Sequence, residues 1–202
     1  MKLYYSPGAC SLGIHVLLEE IGKPYEAERV DLSKPAAERP LAQINPKSKV
    51  PTLVRDDGSV LTEYPAIGFW LARTNPEKRL LPDDLEGQTR VLEATDFCVA
   101  GLHMQGFSRM FGARRAATPA EQESMRAAGR DIVTRGFARL DAMLDGREWL
   151  AGSYSFADTA LFYNCTWTRP FEITLPGNVA AHFDRMKNRP AVQAALKQEG
   201  LS

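Results

Sequence analysis

The hydrophobic pattern of this 202-residue chain changes once, close to residue 80, and that change limits the possible folds more than any single motif does. Before it, short strand-like and helix-like segments alternate. Lys2 to Tyr5 reads as a strand, and Pro7-Gly8 as the turn that ends it. Leu12, Ile14, Val16, Leu17, Leu18 and Ile21 form one broad helical apolar face that closes at Gly22. Tyr25 to Asp31 alternates as a second strand, Leu41 to Ile44 is helical or irregular, and Val50 to Val54 is a third strand. Asp57-Gly58 is a strong hairpin signal leading into Val60-Leu61, and Glu63 to Arg73 is helical. After the change every segment is helical. Asn75-Pro76 and Leu81-Pro82-Asp83-Asp84 punctuate the chain as a linker. Glu86 to Phe111 reads as one long helix, weakened or bent at Gly101 and Gly106. Thr118-Pro119-Ala120-Glu121 opens a helix that runs to about Leu144 and stops at Asp145-Gly146. Ser155 with Asp158 starts another, and two shorter helices follow, near 178–187 and after Pro190. The reading is an α/β domain followed by an all-helical domain.

Charge excludes one large class of partner. Twenty-five Lys and Arg balance twenty-five Asp and Glu, and the densest basic patch is only Arg114-Arg115. A sequence-independent grip on phosphate backbones needs clustered excess cations, so no nucleic-acid partner is expected. The apolar segment at the amino terminus is stopped by Pro7, unlike a signal peptide, and no run approaches eighteen apolar residues. No membrane partner is therefore expected. Cys10, Cys98 and Cys165 are an odd, widely spaced set without a Cys-x-x-Cys pair, which disfavours a disulfide framework or a thiolate zinc site. A reducing cytoplasm fits. His15, His103 and His182 are too scattered to suggest a metal site, and no metal is expected.

The residues that can carry chemistry sit where elements begin. Cys10-Ser11 lies between the first strand and the first helix, where free N–H groups and the positive end of the helix dipole favour thiolate over thiol. The competing reading is a buried cysteine acting as a small apolar residue. Ser11 can cap the helix, donate to a thiolate, or do both. Val50-Pro51 opens a strand after the polar run Asn45 to Lys49. A cis bond there would leave the Val50 backbone free for an extended peptide ligand, although trans is the default. Glu63 and Tyr64 begin a helix whose N–H groups suit a carboxylate, while Glu63 can pair with an amino group. Glu63 can equally be an ordinary first-turn acid. Cys98 and Cys165 read as core. Trp149, Tyr154, Phe156, Phe162, Tyr163 and Trp167 read mainly as packing, with a minority contributing to a hydrophobic cleft.

In order along the chain these signals become specific. Tyr-Ser-Pro-Gly-Ala-Cys-Ser-Leu at 5–12, Asn-Pro-Lys-x-x-Val-Pro-Thr-Leu at 45–53, Asp-Gly-x-x-Leu-Thr-Glu at 57–63 and Ser-x-x-Asp at 155–158 resemble a cytosolic glutathione transferase. Cys10 and the His-x-x-x-Phe-Ser-x-x-Phe run at 103–111 resemble the bacterial beta class, and the resemblance covers essentially the whole chain. It implies a thioredoxin-like glutathione-binding domain over 1–80. It also implies an all-helical domain over 87–202 that supplies the second-substrate cleft and the contacts of a homodimer. A cis peptide before Pro51 is implied too. Catalysis would fall to Cys10, Ser11 and His103. Glutathione, the co-substrate, would be held by Cys10, Lys34, Val50, Glu63, Tyr64, Asp96 and His103; Ser155 and Asp158 would be a structural cap. Tyr64 stands where the family usually has Ser, Thr or Gly, Asp96 where beta-class chains often have Asn, and Pro35 follows Lys34. The implied reaction joins the glutathione thiol to a small hydrophobic electrophile, as in detoxification. The rivals are monothiol disulfide reduction or peroxide reduction through Cys10, with Gly13 in place of a resolving cysteine, and a non-enzymatic carrier of apolar ligands.

Overall fold

Strand β1, Lys2–Tyr5, is buried over Leu3, Tyr4 and Tyr5 and forms an inner strand of a four-stranded sheet of order β2-β1-β3-β4. β2, Glu26–Arg29, runs parallel to it, with Leu3 opposite Ala27. Its charged, mostly exposed residues suit an edge that must not recruit another strand. β3, Thr52–Val54, and β4, Val60–Thr62, are antiparallel neighbours joined through Asp57-Gly58, where Gly58 has φ +79°. Both observed strands β2 and β3 are shorter than their apolar patterns suggest, because pairing partners, not alternation, set their ends. Leu41 to Gln43 lie in a short 3₁₀ turn, Pro40–Gln43, which ends at Ile44 and follows another at Ala36–Glu38.

Helix α1, Ser11–Ile21, buries nine of its eleven residues, which is why its sequence is apolar nearly all round. It meets β1, α2 (Tyr64–Arg73) and the last helix, α8 (Pro190–Glu199). The computed structural model describes residues 1–201 and divides into two compact units. Met1–Leu81 packs with the segment from Arg185 onward, and Pro82–Asp184 forms the second unit. The thioredoxin-like α/β architecture and the helical architecture that follows it are both present.

The second unit opens with α3, Leu85–Asp96, capped by Asp84, whose carboxylate accepts the Gly87 N–H at 2.8 Å. The expected single helix with a glycine bend is instead a change of winding. α-Helix gives way to a π-helical stretch over Phe97–Phe107, then returns as α4, Ser108–Gly112. Close packing on α5, Pro119–Met143, accounts for it. A Cβ on Gly106 would lie 2.5 Å from Val133, and one on Gly136 would lie 2.7 Å from Leu102. Side-chain fit therefore outweighs the local hydrogen-bond ladder here. Both capping boxes form as the sequence indicates. Thr118 accepts the Glu121 N–H while Glu121 accepts that of Thr118. In α6, Phe156–Thr166, Asp158 accepts the Ser155 N–H at 2.9 Å. The same carboxylate, fully buried, also accepts the Leu150 N–H and pairs with His182 of α7, Gly177–Lys187, at 3.0 Å. Cys98 and Cys165 are core, as expected.

Candidate functional site

The turn from β1 into α1 is held from within by Ser11. Its hydroxyl accepts the Ser6 N–H at 3.2 Å and donates to the Ser6 carbonyl at 3.4 Å, while the Ala9 N–H reaches the Ser6 carbonyl. Ser11 thus does not cap α1; the N-cap is Cys10, with no side-chain cap bond. The serine side chain is committed to the loop, and it is the backbone N–H of Ser11 that faces the Cys10 sulfur.

Cys10 is buried, and its Sγ–H donates to the Val50 carbonyl at 3.3 Å. The expected thiolate is not met. Removal from water pushes the thiol up to about 12, although the N–H groups of Cys10 and Ser11 pull it down. Nearby Glu63 adds to the rise and Lys49 opposes it. In the free protein the reading of Cys10 as a buried neutral thiol holds.

Val50 and Pro51 are joined by a cis peptide, as the resemblance implied. The polar run before it explains how the loop keeps its shape. Buried Asn45 donates to the Lys49 carbonyl and to Thr52 Oγ1 and accepts the Lys47 N–H. Ser48, at φ +48°, donates to the Ala36 carbonyl, and Arg39 donates to the carbonyls of Ser48, Leu32 and Lys34. Val50 is thereby presented at an extended edge, and its N–H enters none of the backbone hydrogen bonds of the loop. Lys34 has its carbonyl fixed by Arg39 and its side chain exposed.

Glu63 stands at the N-cap of α2 with φ +71° and ψ 126°, a region costly for any residue with a Cβ. Its exposed carboxylate pairs with Lys47, which also donates to Thr62 Oγ1 at 2.7 Å. Tyr64, the first helical residue, is buried. Cys10, Ser11, Val50, Glu63 and Tyr64 thus occupy the starts of α1, β3 and α2. That edge can take an extended peptide with a thiol beside α1 and an amino group at Glu63. Lys47 was not legible as a site residue: sixteen positions separate it from Glu63, so no local period marks it.

Asp96 and His103 belong to the second unit. Asp96 ends α3 and is exposed. His103 is half-buried in the π stretch, 3.3 Å from the Tyr163 hydroxyl, with its ring edge-on to Trp167 at 4.7 Å. Phe107, Phe111, Trp167 and Phe171 continue this aromatic set at 4.9–6.3 Å, and Phe111 and Met104 are exposed. Among the described residues no group of three His, Cys, Asp or Glu is placed to hold a metal, and no helix is long and apolar enough to cross a membrane.

Comparison with known proteins gives a consistent set. Residues 8–74 match the family described as glutathione S-transferase, N-terminal domain. Glutathione S-transferase GstA of Escherichia coli O157:H7 is 36% identical over 207 residues, covering all of both chains. A sphingomonad glutathione S-transferase complexed with glutathione superposes with a TM-score of 0.87 at 35% identity, covering all of both chains. A beta-class glutathione S-transferase of Sphingomonas chungbukensis gives 0.86 at 34% identity, again over all of both chains.

Proposed function

The chain belongs to the glutathione S-transferase family and is a glutathione transferase, and from that premise we propose a beta-class enzyme whose second substrate is a small hydrophobic electrophile. Glutathione is its co-substrate. The observation that carries the assignment of site residues is the Val50-Pro51 edge: a cis junction, an unengaged Val50 N–H, and Cys10 directly against the Val50 carbonyl. Val50 would pair with the cysteinyl backbone of the tripeptide, and Glu63 with the Tyr64 N–H would hold its γ-glutamyl end. Lys34 would serve the glycyl carboxylate. Asp96 and His103 are further proposed contacts carried by the helical domain, 87–202, which would also supply the aromatic surface for the electrophile and the contacts of a homodimer. The cytoplasm is the proposed location.

The glutathione thiol would first lose its proton to water. The thiolate sulfur would then form a C–S bond to the electrophilic carbon as the leaving group departs with the electron pair of the broken bond, halide in the case of an aryl halide. The chain's task is to lower that thiol's pKa and to aim it. The N–H groups of Cys10 and Ser11, at the positive end of α1, would favour an incoming sulfur anion; the same groups pull the Cys10 thiol down, against its burial. A thiol stabilised as its anion titrates lower, so conjugation falls as pH drops through the bound thiol's pKa. Disulfide exchange by Cys10 itself fits less well, because its own thiol is held neutral and no cysteine stands at position 13 to resolve a mixed disulfide.

Retention on immobilised glutathione and turnover of an aryl halide test this reading together. Wild type is expected to be retained and active. Glu63→Ala removes a hydrogen bond to a charged group, about 1.5–3 kcal/mol, and should raise KM for glutathione by roughly ten- to a hundredfold with little change in kcat. Wild type that neither binds glutathione nor turns over any thiol-reactive substrate would instead support a carrier.

A further inference from the structure

The turn that carries Cys10 is gripped from outside by the far end of the chain. Glu199, on the last turn of α8, has no solvent exposure at its side chain, and each of its carboxylate oxygens has a separate partner. Oε2 accepts the Gly8 N–H at 2.9 Å, and Oε1 accepts from His15 Nδ1 at 2.9 Å. Gly8 lies two residues before Cys10 at φ +70°, with the Leu201 side chain against it. His15 is fully buried on α1, and its Nε2 meets Gln198 Oε1 at 2.9 Å. Gln198 is oriented by its own amide, which donates to Glu19 at 2.8 Å, so its oxygen faces the ring. Tyr25, which donates to Glu19 and Gln198, and the Tyr5 ring at 5.1 Å complete the surroundings of His15. Glu199 thus joins α1 to the turn, with one carboxylate oxygen on the His15 ring and the other on the Gly8 N–H.

We propose that Glu199 is a positioning residue for the Cys10 turn: its carboxylate sets where the Cys10 and Ser11 N–H groups point, and hence how well the turn receives a sulfur. Ser11 anchors the turn from inside, and Glu199 holds its Gly8 backbone from nearly two hundred residues away. A side chain that merely docked α8 would have no reason to engage the Gly8 backbone. Docking at the other end of α8 is served separately by Arg189, whose Nε donates to Glu20 at 2.7 Å. The ten-residue step from Arg189 to Glu199 puts those two anchors about 15 Å apart along the helix.

The inference rests on the proposed glutathione site, and the experiment separates the two. Glu199→Ala, Glu199→Asp, Glu199→Gln and Arg189→Ala are compared in the full chain for melting temperature, KM for glutathione, kcat, and the rate of Cys10 alkylation by iodoacetamide at pH 9. Glu199→Ala and Glu199→Asp should raise KM at least fivefold and change the alkylation rate severalfold; the aspartate is one methylene too short for both partners. Glu199→Gln should keep KM and the alkylation rate within twofold of wild type, because its amide oxygen still accepts the Gly8 N–H, while its nitrogen cannot accept from His15 Nδ1 and the melting temperature should fall. Arg189→Ala should lower the melting temperature without moving either rate. A KM within twofold of wild type for both Glu199→Ala and Glu199→Asp would overturn the proposal. So would an equal rise in Arg189→Ala at equal loss of melting temperature. If Glu199→Ala does not fold, the aspartate and glutamine variants decide. If wild type fails to bind glutathione, the proposed function falls, and the alkylation ratios still decide this point.

Discussion

Cys10 has two backbone N–H groups and a helix dipole in favour of its anion, yet burial pushes its thiol up to about 12. Desolvation is the larger effect and outweighs the backbone N–H groups that favour the anion. The sequence displays the helix start and not the burial, which depends on Val50, forty residues away. For that reason the position of Cys10 was legible and its protonation state was not. With a folded pKa raised above the unfolded one, the stability that Cys10 contributes is whole below about pH 9 and is lost as pH climbs towards 12. The difference in unfolding free energy between wild type and Cys10→Ala should accordingly be flat below pH 9 and drift above it. Iodoacetamide should modify free Cys10 slowly at pH 7 and faster with each alkaline step; a plateau already reached by pH 8 would contradict the burial argument. Conjugation of an aryl halide should survive Cys10→Ala within a few-fold, while any exchange with glutathione disulfide disappears.

At the level of elements, local signals with a short reach were readable and those set by packing were not. Thr118 with Glu121 and Ser155 with Asp158 encode their caps within four residues, and both boxes form. The hairpin at Asp57-Gly58 is equally local. Over Phe97–Phe107 the apolar pattern cannot distinguish α from π winding, because the choice is made by glycines on two helices facing each other. Gly129 is the sharpest case: an added Cβ would lie 2.6 Å from Met110 Cγ and 2.7 Å from the Gly106 carbonyl oxygen. The carbonyl cannot move as a side chain can. Gly129→Ala should therefore cost about 1–3 kcal/mol, lowering the melting temperature by roughly 2–12 °C. Gly112, helical and with nothing within 4 Å of an added Cβ, supplies the control. Gly112→Ala should be neutral or raise stability by up to about 1 kcal/mol. Equal melting temperatures for the two variants would mean that the helices separate freely and that close contact does not set the winding.

At the scale of the whole chain, the proline-rich punctuation at Leu81-Pro82 coincides with the seam between the two units, whereas nothing in the sequence announces that the chain returns to the first unit at Arg185. That return is written in pairs nearly two hundred residues apart, such as Gly8 with Glu199 and His15 with Glu199, which no periodicity can reveal. Its consequence is physical. Helix α8 covers α1 with Ala191, Val192 and Ala195, and without it a fully buried His15 would lose both hydrogen-bond partners. The apolar side of α1 that α8 covers would then open to water, at about 25 cal/mol for each Å² exposed, against a whole stability of roughly 5–15 kcal/mol for a domain. The second unit closes differently, through Asp158 and His182 and through Asp141 with Asn178 and Val179, all of which precede the seam at Arg185. A chain ending at Asn188 should therefore lose amide protection across β1 and α1 and lose glutathione binding. Its amides in α5 and α6 should remain protected when followed by hydrogen exchange. Protection of α1 in that shortened chain would show that residues 1–81 complete their own core, and that the return of the chain is dispensable to the fold that holds Cys10.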